Sequence, residues 1–210
     1  MVCEQFPTCV DTLKHEVKPL QAKKKGAAKS KKKIKSAEVE HIYTGYPCGD
    51  EGKKECCLCF LDTRSRPSCT ENRKTYTLDQ SDVKVEVLCM HIDGGVVDDA
   101  KSQRCDYAFF IRDGIDHGRG RAILIELKGS DTPTALKQLI VTLELPEVSA
   151  LKKNYKRIYG RVVNTSSVPR IQNTDLHMDL KEKFMRMGGN LKIGEWNLVE
   201  HYSELDNVKR

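Results

Sequence analysis

The chain has 210 residues, of which 39% are hydrophobic, and carries 36 Lys and Arg against 30 Asp and Glu. That length suffices for one domain with a sizeable core plus appendages, and no run of about 18 apolar residues offers a membrane-spanning helix. The net charge of +6 is unevenly spread: residues 14–35 hold ten Lys and one Glu, and the remainder is 26 basic against 29 acidic residues. Basicity therefore belongs to an arm and not to the fold. The opening "MVCEQFPTCVDTLKHE" lacks the apolar core of a secretory signal. Nine cysteines without such a signal point to a reducing compartment, the cytoplasm or, in a eukaryotic host, the nucleus.

Residues 1–40 are read as a disordered basic arm, because "QAKKKGAAKSKKKIKS" is self-repelling and poor in apolar residues. Three roles are open to it: a solvated tail, a phosphate-binding arm, or a nuclear address. Residues 41–70 form a Cys-rich stretch expected to be irregular. Cys48, Cys56, Cys57, Cys59 and Cys69 could supply four thiolates to zinc. They lack paired C-x₂-C spacing, so free thiols are the favoured reading over a zinc-binding interaction module. Residues 71–210 are expected to form the folded domain.

From Val83 the pattern sharpens. "VKVEVLCMHIDGGVV" alternates Val83, Val85 and Val87 with charge, as a half-buried strand does. "RCDYAFFI" and "RAILIEL" are further strands, and the short polar loops between the three predict an antiparallel meander. "GSDTPTALKQLIVTLELP" predicts a helix. Ser130, Asp131 or Thr132 can cap it, Pro133 suits its first turn, Leu136, Leu139, Ile140 and Leu143 form its apolar stripe, and Pro146 stops it. "YKRIYGRVV" follows as a strand parallel to the third. Leu176, Leu180, Phe184 and Met187 mark a second helix, ended by Gly188 and Gly189 before a last strand, "LKIGEW". The expected class is α/β, a mixed sheet with a βββαβ core flanked by helices.

The third strand ends in chemistry. Glu126 and Lys128 lie two residues apart and so share a face. The loop between the second and third strands centres on residue 116, midway between 106 and 126, which sets Asp106 opposite Glu126. Opposed side chains lie about 5 Å apart, and two carboxylates so placed repel unless a positive group sits between them. Lys128 or a divalent cation would serve. The free N–H groups of the helix beginning near Pro133 would favour an anionic substrate beside it. His91 and His177 have no partner at metal-ligand spacing, and Cys89 and Cys105 read as small core residues.

"CDYAFF", then "AILIELKG", then "ALKQL" resembles the PD-(D/E)XK nuclease superfamily over about residues 70–195, most strongly over 91–145. It resembles most the small phage and bacterial members that read Cys-Asp-hydrophobic, Glu-Leu-Lys-Gly and a helical Gln. The resemblance implies a restriction-endonuclease-like fold and Mg²⁺ or Mn²⁺ on Asp106, Glu126 and the Leu127 carbonyl. It also implies Lys128 as catalytic lysine and Gln138 as an active-site helper. Cys105 stands where the proline that names the family would be. Some members add an upstream glutamate, for which Glu71 is the first choice and Asp93 the rival; a hairpin centred on "DDAKSQ" would bring Gly95 near Asp106 and leave Asp93 on its face. The implied substrate is nucleic acid, with DNA expected, and a homodimer is one assembly open to such a protein. A non-cleaving nucleic-acid-binding module on the same fold is the alternative.

Overall fold

The computed structural model describes residues 59–62, 64–83, 85–93, 103–112, 120–145, 155–165 and 174–207. The arm of residues 1–40 and Cys48, Cys56 and Cys57 lie outside them. The large sheet takes β1 (Cys59–Asp62), β4 (Glu86–His91), β5 (Tyr107–Arg112), β6 (Gly120–Glu126), β7 (Tyr155–Asn164) and β8 (Leu191–Glu195), in that spatial order. The small sheet takes β2 (Ser68–Glu71), β3 (Lys74–Asp79) and β9 (Asn197–His201). Both sheets are mixed. Strands β1, β4, β5 and β6 pair antiparallel, while β6, β7 and β8 pair parallel. The parallel steps are made through α1 (Thr132–Glu144) and α2 (Asp175–Arg186). The chain is thus an α/β fold with two mixed sheets and two helices.

Alternation along the strands sorts side chains into two cores. Met90, Ala108, Phe110, Ala122, Leu124, Ile158 and Val162 pack with Leu136, Leu139 and Leu143 of α1 and Leu180 and Phe184 of α2. Val87, Cys89, Phe109, Ile111, Ile123, Ile125, Tyr159 and Val163 pack the other way, onto Tyr76, Leu78 and Leu198 of the small sheet. Strand β6 lies between both layers and is buried at every residue, which explains its unbroken apolar run.

The helices begin and end for local reasons. Asp131 caps α1 by accepting from the Thr134 N–H at 3.1 Å, and Pro133 sits in its first turn. Leu145 leaves the helix with ψ of 133°, the extended state a following proline imposes. Thr174 caps α2, and Gly188 closes it with φ of +71°, a left-handed position that suits glycine. Gly160 on β7 lets Phe184 lie against the strand, since a Cβ there would stand 2.3 Å from the ring.

Three expectations need correction. Residues 59–62 and 68–70, read as irregular, are strands, and Cys69 is buried in the core with its thiol pushed up by burial, a poor zinc ligand. The small sheet was not foreseen. The β4–β5 hairpin is centred at 99, with His91 opposite Tyr107, so Ile92 and not Gly95 meets Asp106. Its N–H donates to the Asp106 carbonyl at 2.8 Å.

Between the two sheets lies a buried ion pair. Arg161 of β7 donates to Glu200 of β9 through Nε at 2.5 Å, and the same carboxylate accepts from the Tyr76 hydroxyl at 3.0 Å and from Lys192 at 3.2 Å. These cations hold the Glu200 carboxyl below its usual range in spite of its burial. At the other end of β6 and β7, Asp206 accepts from Arg121, Arg157 and the Tyr159 hydroxyl, tying the C-terminal turn down.

Candidate active site

The β5–β6 ladder runs from Ile111 opposite Arg121 to Tyr107 opposite Ile125. One further step sets Asp106 against Glu126, the register read from the sequence. Both side chains are buried, Asp106 at 8% exposure and Glu126 at 1%. The Leu127 N–H donates to Asp106 Oδ2 at 2.6 Å. Asp106 is therefore oriented by the strand that carries Glu126.

The electrostatics are unbalanced. Burial first, then the charge of Asp106, pushes the Glu126 carboxyl up to about 9. Burial also pushes Asp106 up to about 7, with Glu71 and Asp93 adding to it and the Leu127 N–H and Lys128 opposing it. Lys128 Nζ lies 4.0 Å from Glu126 Oε1, beyond hydrogen-bond reach, with its side chain 33% exposed. Glu126 Oε2 is buried without any hydrogen-bond partner.

The segment entering Asp106 is gripped by α1. Gln138 Nε2 donates to the Arg104 carbonyl at 2.9 Å, and the Cys105 N–H donates to Thr142 Oγ1 at 2.8 Å. Thr142 Oγ1 donates back to the Gln138 carbonyl at 2.8 Å, one helical turn earlier. Gln138, which lies off the leucine stripe, is accordingly 7% exposed and not solvent-facing. Its amide holds the segment that leads into Asp106. Thr142 shares that work and was missed; a threonine on an otherwise apolar helix face, four residues after Gln138, was the available signal. On the far side, Asn164 Nδ2 donates to Thr132 Oγ1 at 2.6 Å, fixing the start of α1 against β7.

No protein-family model, curated protein or solved structure matches this chain.

Glu71 and Asp93 are placed differently from the pair. Glu71 ends β2 at the tip of the β2–β3 hairpin and acts on both acids through its charge. Asp93 is half exposed and accepts from Arg104 Nε at 3.2 Å. Among the described residues no three His, Cys, Asp or Glu side chains converge closely enough to hold a metal ion. Asp106 and Glu126 face each other, and their chemistry fits a hard divalent ion: oxygen donors only, mutual repulsion, and a buried oxygen without a partner. Cys105 is no competitor, since its thiol is buried and donates to the Tyr107 carbonyl at 3.5 Å. The expected anion site at the start of α1 is altered by the cap, because Asp131 places its own carboxylate there and engages the Thr134 N–H and hydroxyl. His91 stacks on Tyr107 with ring centroids 4.8 Å apart, and Cys89 and Cys105 are core residues as expected.

No helix among the described residues is long and apolar enough to cross a membrane.

Proposed function

We propose that the chain is a metal-dependent nuclease of the PD-(D/E)XK type, hydrolysing phosphodiester bonds in nucleic acid, with DNA the expected substrate. The observation that carries this reading is the pair Asp106 and Glu126, two buried carboxylates held face to face, with one Glu126 oxygen lacking any partner. Packing gains nothing from such a pair, and perturbed acids of this kind collect at functional sites. Mg²⁺ or Mn²⁺, held by the two carboxylates and the Leu127 carbonyl, would supply Lewis-acid polarisation of the scissile phosphate.

The residues of the chain do the rest. Asp106 is fixed through its carbonyl, its carboxylate and the preceding peptide, so it need not reorganise during the reaction. Lys128, partly exposed beside Glu126, offers positive charge where negative charge develops on the phosphoryl oxygens. Gln138 and Thr142 set the position of Asp106 without touching the reacting atoms. Glu71 adds negative charge from the hairpin tip, which strengthens the preference for a cation.

A non-cleaving binding module draws support from the absence of a third converging ligand among the described residues. Incubation of the full chain with plasmid, linear duplex, single strands and RNA separates the two. Cleavage is expected with Mg²⁺ or Mn²⁺, lost in excess EDTA and reduced by about a thousandfold or more in Lys128→Ala. Cleavage in excess EDTA, or at the wild-type rate in Lys128→Ala, would contradict the nuclease reading.

A further inference from the structure

Three described residues other than glycine have positive φ: Asn72 at 46°, Arg73 at 67° and Trp196 at 42°. Asn72 and Arg73 are the whole turn of the β2–β3 hairpin, since Glu71 pairs with Lys74. A two-residue turn with both φ positive is the type I′ form, where Asn-Gly is the usual pair. Trp196 is the single residue between β8 and β9 and passes the chain from the large sheet to the small one. Its N–H donates to the Asn164 carbonyl at 2.7 Å, and its carbonyl accepts from the Thr75 N–H at 2.8 Å. Turn and tryptophan are thereby joined within three residues of chain.

Glycine would make both bends without strain, and a bulky residue at such φ is an outlier. Burial does not compensate the indole, which is 47% exposed, and Arg73 is exposed too. Folding alone explains neither side chain. Strain of this kind gathers where ligands are held.

The same rim carries the carboxylates. Along the parallel strands Glu126 lies beside Val162 and Asn164 beside Glu195, and the Thr165 N–H donates to the Gly129 carbonyl at 3.3 Å. The ends at Lys128, Asn164 and Trp196 therefore stand in a row, with the Trp196 backbone about 10 Å across two strand spacings from that of Lys128. Glu71, the residue before the turn, is near enough for its charge to act on both acids.

Neighbouring charges decide the ligand chemistry. Glu195 precedes Trp196 and Glu71 precedes the Asn72–Arg73 turn, so the rim is no simple phosphate patch. An exposed indole offers a flat face, and nucleobases stack on such faces with little regard to sequence. Bases within a duplex are already stacked, which leaves an unpaired base as the ligand. We propose that Trp196, with Arg73 on the adjoining turn, is the platform on which an unpaired base of the substrate strand stacks, laying that strand across the Asp106–Glu126 edge. This rests on the reading of that edge as a nucleic-acid site. Trp196 is then a positioning residue, and single-stranded or splayed nucleic acid is the substrate class.

Trp196 is the only tryptophan in the chain, so its emission reports on the rim even if the basic arm also binds. The test titrates the full chain, with Ca²⁺ in place of Mg²⁺, with oligo(dT), oligo(rU) and a blunt duplex. Binding is followed in parallel by the anisotropy of a labelled strand. Quenching of the indole should saturate in step with anisotropy for one or both single strands, the tighter naming the sugar, and be absent with the duplex. Trp196→Gly should weaken single-strand binding by about 10- to 100-fold with a melting temperature equal to or above that of the wild type, because glycine relieves the φ strain. Trp196→Phe should retain most of the affinity. Single-strand binding without a change in emission overturns the proposal, as does wild-type affinity in Trp196→Gly or no single-strand binding at all. Quenching without Mg²⁺-dependent cleavage would overturn the nuclease reading and leave the stacking platform standing; cleavage without quenching would do the reverse.

Discussion

Two buried glutamates of this protein are treated in opposite ways. Glu200, between the sheets, meets Arg161, Lys192 and the Tyr76 hydroxyl, and its carboxyl is held below the usual range. Glu126, at the end of β6, faces another acid, keeps one oxygen without a partner, and is pushed well above that range. Both are almost fully buried. The chain therefore supplies counter-charges inside its core where cohesion of the layers needs them. Their shortage at the Asp106–Glu126 edge fits a site that takes its positive charge from outside.

The largest effect should come from breaking the balanced pair. Arg161→Leu leaves Glu200 buried with a depleted set of partners and should cost about 3–5 kcal/mol of stability in urea unfolding. A cost below about 1 kcal/mol would show that Lys192 and Tyr76 satisfy Glu200 alone.

A smaller loss should follow Thr142→Val, which fills the same space but leaves the Cys105 N–H without its acceptor. About 1–3 kcal/mol is expected, together with slower cleavage, because the segment leading to Asp106 is loosened. Full activity in that variant would remove α1 from the positioning of the acid.

The unbalanced pair should respond with the opposite sign. Glu126 has a folded value near 9 against an ordinary 4.5, so between those limits the folded chain binds a proton that the unfolded chain has lost. Stability of the metal-free protein should then fall as pH rises through that window, by up to about 1.4 kcal/mol per pH unit from this group. Asp106, raised from 3.8 to about 7, adds to the lower part of the window. In Glu126→Gln the decline should flatten and the protein should be as stable as the wild type or more so near neutral pH. A decline unchanged in Glu126→Gln would place its origin elsewhere.

Much of the large sheet was legible because its patterns are local. The β4–β5–β6 meander follows from alternation and short loops, the facing of Asp106 and Glu126 from loop symmetry, and α1 from Asp131, Pro133 and the leucine stripe. The small sheet was hidden for a physical reason. Residues 74–79 do alternate, with Tyr76 and Leu78 buried, but the turn before them is Asn-Arg and carries no glycine to announce a hairpin. Strand β9 follows β8 after one tryptophan, where a turn signal would be expected, so the sequence pattern stops at "LKIGEW" and leaves residues 197–201 without a predicted strand. Gln138 and Thr142 look peripheral in the helix pattern because their partners, the Arg104 carbonyl and the Cys105 N–H, lie more than 30 residues away in sequence. Such long-range satisfaction of backbone groups leaves little trace in periodicity.

The most direct test of the central claim, that Asp106 and Glu126 together hold a divalent cation, is Mn²⁺ titration calorimetry at pH 7.5 in buffers of different ionisation enthalpy. The acids are raised to about 7 and about 9 when the site is empty, so binding should release about one proton. Glu126→Gln should abolish both binding and proton release, whereas Lys128→Ala should keep both, since the ammonium is not a ligand. Binding that releases no protons and survives Glu126→Gln, or no binding by the wild type, would contradict the account.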